Sequence, residues 1–298
     1  MTEEKEKNVE TEKVFMNPFT DIGFKNIFGR SKNVTMEFLN DILQDREKIV
    51  DLVFSDKEMI SENRDGRTII YDIYCTTSDG RHIIIEMQNG AHKYFKERLL
   101  YYTSRAISKQ GQPGEWDYKL DAVYGIAFVN FFLEKNRSQF LRDIRMVEKS
   151  SKEVFYDKYR MIFIELPSFT KALDECKTKL DYWIYMLKNM ETSTRLAIEK
   201  THIQTIKEVE ESMRLASLNK EDREAYDIAL KRYRDFFAHE KYNEEMIQES
   251  YKQGEKKGEE KGEAKKNLEN AKNFKALGVS VDIISKATGL SPETIASL

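Results

Sequence analysis

The stretch YDIYCTTSDGRHIIIEMQN, Tyr71 to Asn89, decides how this chain is read. Two runs rich in Ile, Tyr and Thr, RTIIYDIYCTT (67–77) and RHIIIEMQN (81–89), flank Ser78, Asp79 and Gly80, a hairpin signal. The spacing predicts two strands paired antiparallel. If the loop is centred on Asp79, Asp72 falls opposite Glu86 on one face of the sheet, with Cβ atoms about 4.5 to 5.5 Å apart. Like charges that close destabilise each other unless a proton or a cation lies between them. Two oxygen ligands at that spacing suit Mg²⁺, which keeps several waters and needs only one or two protein carboxylates. Glu86 and Gln88 are two apart and share the face of Asp72, while Ile85 and Met87 point the other way. A two-residue turn at Asp79 and Gly80 would instead set Asp72 against Met87 and separate the carboxylates. The alternation also describes the solvent face of a half-exposed strand, with Asp72 satisfied by a nearby Lys or Arg.

Upstream, Thr20 is positioned to cap a helix beginning at Asp21, with Phe24, Ile27 and Phe28 on one face. A second helix restarts at Ser31 or Asn33 and carries Met36, Leu39 and Ile42. IVDLVF (49–54) precedes the hairpin as a further strand. Downstream, FKERLLYYTSRAISKQ repeats Phe95, Leu99, Tyr102 and Ile107 at helical spacing, and DAVYGIAFVNFFL returns to an apolar, β-rich run. YRMIFIELPSF is one more strand, stopped by Pro167. The order is helix, three strands, helix, strand: an α/β core.

Beyond it, residues 171–250 lack proline and place Leu180, Trp183, Ile184 and Leu187, then Tyr226, Ile228, Tyr233, Phe236 and Phe237, at helical spacing, predicting a helical extension. Gly254, Gly258 and Gly262 recur in a segment so polar that it ends the helical region or bridges to the terminus. The final stretch has helix-turn-helix grammar, with Gly278 and Gly289 as stops and Ser291–Pro292 as a helix start. Its last helix is short and lacks Lys and Arg, so packing or homo-oligomerisation through the C-terminal helices is favoured over DNA reading. The domains expected are a disordered tail (1–14), the core (15–170), the helical extension (171–250) and a charged helix with a helix-turn-helix-like C-terminal segment (251–298).

The chain has 298 residues, 40% hydrophobic and 34% charged, with 17 Phe and 15 Tyr, which excludes whole-chain disorder. Forty-nine Lys plus Arg against 52 Asp plus Glu give a net charge of −3, which excludes a strongly basic DNA coat. Cys75 and Cys176 have no metal-type spacing, the acidic N-terminus is unlike a signal peptide, and no apolar run is long enough to span a bilayer. A cytoplasmic setting is expected. No P-loop is present, so no nucleotide cofactor is expected.

FMNPFTDIGFKNIFG, YDIYC with Asp72, IIIEMQ with Glu86 and Gln88, and ERLLYYTSR together resemble the PD-(D/E)XK nuclease fold, and within it the Rpn-type recombination-promoting nuclease/transposase group. The likeness covers roughly residues 15 to 170, which makes the expected core nuclease-like. It implies an αβββαβ restriction-endonuclease-like core with a mostly α-helical C-terminal extension, cleaving DNA with Mg²⁺ or Mn²⁺. Asp72 and Glu86 take the metal-ligand roles and Gln88 the third catalytic position, where the superfamily usually has a lysine. An amide there can orient water or phosphate but supplies no charge. Asp21 and Lys25 resemble the group's first-helix pair, supporting the metal site and reaching phosphate; an acidic residue at a helix start with an i, i+4 partner accounts for them equally. Arg98, with Lys93 and Lys96, is placed to contact the DNA backbone or to form a solvated helix face. The alternative from another class is a catalytically silent nuclease fold acting as a DNA-binding or assembly module. An interaction scaffold without nucleic acid is a third.

Overall fold

The computed structural model describes residues 14–55, 58–59, 69–134, 139–192 and 205–298. The tail expected over residues 1–14 lies, apart from Val14, outside the described residues. Two compact units divide the chain, the first reaching Tyr233 and the second spanning Arg234–Leu298.

The first unit opens with α1 (Asp21–Phe28) and α2 (Lys32–Leu43), which begin where the sequence supplies caps. Thr20 Oγ1 accepts from the Gly23 N–H at 3.0 Å and Ser31 Oγ from the Val34 N–H at 3.3 Å. Gly23 tolerates no side chain: a Cβ there would stand 2.1 Å from the Asn17 carbonyl oxygen, so the loop entering α1 closes only over a glycine. The chain continues through β1 (Leu52–Phe54), the small pair β2 (Glu58–Met59) and β3 (Ile69–Ile70), then β4 (Ile73–Thr77), β5 (His82–Gln88), α3 (Phe95–Ser108), β6 (Val123–Val129), β7 (Leu141–Val147) and β8 (Val154–Glu165). Six strands form one mixed sheet in the order β1-β4-β5-β6-β8-β7. The β5–β6 and β6–β8 pairs are parallel and the rest antiparallel.

β6 sits centrally and every residue of VYGIAFV is buried, as a strand covered on both faces requires. One face carries Ile73, Cys75, Ile83, Ile85, Ile126 and Phe128 into a large core with α1 and α2. There Phe28 stacks on Phe128 with centroids 5.5 Å apart. α4 (Lys179–Asn189) adds Trp183, edge-on to Phe38 at 5.8 Å and donating from Nε1 to Asp41 at 2.9 Å. The other face packs against α3 through Tyr71, Ile84 and Val123, and through Ala127, Val129 and Phe163 with Phe95 and Leu99. α5 (Ile206–Met213) and the start of α6 (Lys220–Ala276) complete this unit. Met16 N–H donates to Met213 O at 2.8 Å and Asn17 N–H to Tyr226 Oη at 2.8 Å, tying the entry of α1 to the later helices. In the second unit, Ala271 near the end of α6 packs with Ile284 of α7 (Val281–Thr288) and Ile295 of α8 (Pro292–Ser297). No helix among the described residues is long and apolar enough to cross a membrane.

Two sequence expectations change, and one open reading is decided. RTIIYDIYCTT is not one strand: β3 pairs with β2 in its own small sheet, and the run breaks at Tyr71–Asp72 before β4 begins. Of the two readings of the glycine repeat, bridging toward the terminus holds, because α6 runs through Gly254, Gly258 and Gly262 to Ala276. Each glycine costs about 1 kcal/mol relative to alanine, which the surrounding Glu, Lys and Ala outweigh. β7 was not expected at all; it forms the sheet edge and draws β8 back to Val154.

Candidate active site

The hairpin register is the one centred on Asp79. Ile73 faces Ile85, Cys75 faces Ile83 and Thr76 faces His82. A three-residue loop closes it, with Gly80 at φ 87° as its left-handed member and the Thr77 N–H reaching Arg81 O at 2.9 Å. Continued by one residue past the ladder, this register sets Asp72 beside Glu86. The backbone exchange stops there because side chains take over: Met87 N–H donates to Asp72 Oδ2 at 2.8 Å, and Asp72 N–H donates to Glu86 Oε1 at 3.2 Å. The break in the run is thus made by the two carboxylates themselves.

Glu86 is 4% exposed and Asp72 half-buried. Burial, then the charge of Asp72, pushes the Glu86 carboxyl up to about 8, against the Asp72 N–H and the charges of Arg98 and Lys25. Burial also raises the Asp72 carboxyl, opposed by the Met87 N–H, Lys25 and Arg98 and reinforced by Asp21. At neutral pH the pair retains a proton in the absence of a cation. Neither Asp72 Oδ1 nor Glu86 Oε2 has a hydrogen-bond partner among the described residues.

Gln88 lies at the end of β5, its Nε2 donating to Gly90 O at 3.0 Å and its Oε1 accepting from Arg98 Nη2 at 2.5 Å. The Arg98 guanidinium rests over the Phe95 ring at 4.8 Å and the Tyr102 ring at 5.8 Å. Lys25 and Asp21 form an i, i+4 ion pair at 2.6 Å whose charges reach Asp72. Sequence reasoning missed what holds them there: Asn89 Nδ2 donates to Phe19 O at 2.7 Å, fastening the entry of α1 to the end of β5. An Asn directly after a strand gives no signal of a partner 70 residues away. Asp72, Glu86, Gln88 and Arg98 therefore come together, with Lys25 and Asp21 alongside. Lys96 is paired with Glu134 at 2.8 Å, and exposed Lys93 lies over the Tyr94 ring at 5.1 Å.

A strand–turn–strand that delivers two carboxylates beside a following helix, preceded by capped helices and followed by a parallel strand, is the arrangement against which the family comparison can be set. Residues 18–242 match the model of the PD-(D/E)XK nuclease family transposases. The chain belongs to that family. Its mixed sheet and flanking helices are a restriction-endonuclease-like fold, and the match covers the proposed site, α4, α5 and the first part of α6. No curated protein and no solved structure matches the chain at a significant level. In this PD-(D/E)XK family member, Asp72 directly precedes β4, Glu86 and Gln88 lie on β5, and Arg98 lies on the first turn of α3.

Proposed function

We propose that this chain is a metal-dependent DNA endonuclease that hydrolyses phosphodiester bonds, with Asp72 and Glu86 holding Mg²⁺ or Mn²⁺. The observation that carries this is the acidic pair: each carboxylate has one oxygen held by a main-chain N–H and the other without a partner among the described residues, and burial raises both, with the charge of Asp72 adding to the rise at Glu86. Among the described residues no group of three or more His, Cys, Asp or Glu could hold a metal. The donors therefore fit a hard cation that takes two protein oxygens and keeps its waters, and do not fit a four-ligand zinc site.

Such a cation, when bound, polarises a phosphoryl oxygen and lowers the pKa of a water at the phosphodiester. The Met87 N–H orients the Asp72 carboxylate, and the Asp72 N–H orients Glu86, so both are preorganised. The proton they retain must leave before a cation is held, which makes binding tighten as pH rises. Lys25 and Arg98 give the entrance positive charge for a polyanionic backbone despite the net −3 of the chain.

Supercoiled plasmid incubated with purified protein tests this. Nicking is expected with Mg²⁺ or Mn²⁺, none with chelator, and none above background for Asp72→Ala or Glu86→Ala proteins whose circular dichroism is unchanged. Retarded DNA without cleavage would identify a binding module instead.

A further inference from the structure

In-line displacement at a phosphodiester builds negative charge on the phosphoryl oxygens, and a fixed cation beside them stabilises it. Two cations, Lys25 and Arg98, act on the acidic pair, and Lys25 is held at 2.6 Å by Asp21. Among the described residues Arg98 has no carboxylate in contact. Its one hydrogen bond goes to a neutral amide, Gln88 Oε1, while Nε is buried with no partner and Nη1 has none among the described residues. Its flat faces are taken by Phe95 and Tyr102, which leaves the N–H edge for a ligand. Buried guanidinium donors without acceptors are costly, and a phosphate oxygen is the acceptor that matches their geometry. Gln88 is in the opposite condition, with its carbonyl engaged by Arg98 and its amide nitrogen by Gly90 O. These two bonds fix its orientation toward Arg98 and leave one lone pair and one N–H, so the amide is held as a support for the guanidinium.

We infer that Arg98 is the catalytic residue that contacts the scissile phosphate, and that Gln88 is a positioning residue that aims it. This rests on the nuclease reading above and changes which side chain supplies the third function of the site.

A double-mutant cycle on Mg²⁺-dependent plasmid nicking tests it. Arg98→Ala is expected to lower kcat about 10²-fold or more while KM changes less than about threefold, and Arg98→Lys to recover part of the loss. Added guanidinium is expected to restore part of the activity of Arg98→Ala, an effect a merely structural role would not produce. Gln88→Ala is expected to lower kcat about tenfold and to add nothing further in the Arg98→Ala background. Multiplicative losses, with Gln88→Ala equally damaging in both backgrounds, would overturn the assignment and return Gln88 to the water. Retention of the Mg²⁺-induced rise in Tm by Arg98→Ala shows that the acidic pair and the fold survive; if it is lost, Arg98→Lys carries the cycle. A wild-type protein that leaves DNA intact in Mg²⁺ removes the nuclease reading itself, whereas cleavage with multiplicative losses removes only the role of Arg98.

Discussion

Two clusters of partly buried charge sit on this domain and behave in opposite ways. At one, Arg160 bonds both oxygens of Asp143 at 2.7 Å and reaches Asp45 at 3.1 Å; Arg81 takes the other Asp45 oxygen at 2.9 Å and also binds Asp79, and Arg145 joins Asp143 at 2.9 Å. Three arginines answer three aspartates. Burial alone would raise the carboxyls of Asp143 and Asp79, but the hydrogen bonds and charges of Arg160 and Arg145, and of Arg81, hold both below the usual range. At the other cluster, Asp72 and Glu86 share one place with no arginine bonded to either, and both are raised. Asp143 and Asp79 are also the more exposed carboxylates, so at the acidic pair deeper burial and missing counter-charge act together. The arginine network joins the end of α2 to β5, β7 and β8, whereas the acidic pair joins nothing that the hairpin ladder has not already joined.

The contrast breaks most sharply by mutation. Arg160→Ala removes the doubly bonded partner of Asp143 and one of the two arginines on Asp45, in a site where Arg160 is 5% exposed, and is expected to cost about 2 to 4 kcal/mol in urea unfolding. A loss below about 1 kcal/mol would show that the network contributes little. The acidic pair predicts the reverse: Glu86→Gln removes a charge the fold disfavours and is expected to stabilise the metal-free protein at pH 8 by about 2 to 4 kcal/mol.

The pH dependence sharpens the same point. The Glu86 carboxyl is raised from 4.5 to about 8, so the stability it contributes is full below about pH 4.5 and is lost as pH rises through about 8. The lowered carboxyls of Asp143 and Asp79 contribute stability present above their ordinary 3.8 and lost as pH falls below it. Metal-free wild type is thus expected to weaken between pH 5 and 8 and again in acid, and Glu86→Gln to keep the acid arm but only the smaller alkaline loss that the raised Asp72 carboxyl supplies; unfolding midpoints across that range measure both arms. Smaller still, Mg²⁺ at ten times its Kd is expected to stabilise wild type by about 1.4 kcal/mol and Asp72→Asn not at all, read as a shift in Tm. At the bottom of the scale, Lys96→Ala breaks an exposed pair with Glu134 and is expected to change stability by less than about 0.5 kcal/mol.

Much of the scaffold under this contrast was legible in the sequence. Thr20 and Ser31 cap the helices they were expected to cap, the hairpin is centred on Asp79, and Leu180, Trp183, Ile184 and Leu187 are all buried on α4. The rest failed for identifiable reasons. The interruption at Tyr71–Asp72 is invisible in a run of β-formers, because it arises when a side-chain oxygen takes a hydrogen bond that the ladder would have used. β7, LRDIRMV, exposes most of its residues and carries three charges, so it has no alternation to detect, and its pairing with β8 slips between Arg145 and Val147. Ile228 fits the helical spacing yet is 55% exposed, since only Tyr226 on that turn meets the core. Arg98 was legible as a cation and illegible as the partner of Gln88, because that bond depends on how α3 leaves the end of β5.

Plasmid nicking by wild type and Glu86→Gln, assayed side by side in Mg²⁺, tests the role of the acidic pair most directly. The substitution keeps the size of the side chain and removes only its ability to carry negative charge. Cleavage by wild type and none by a Glu86→Gln protein that is at least as stable is the predicted result. Equal cleavage by both, or none by either, would contradict it.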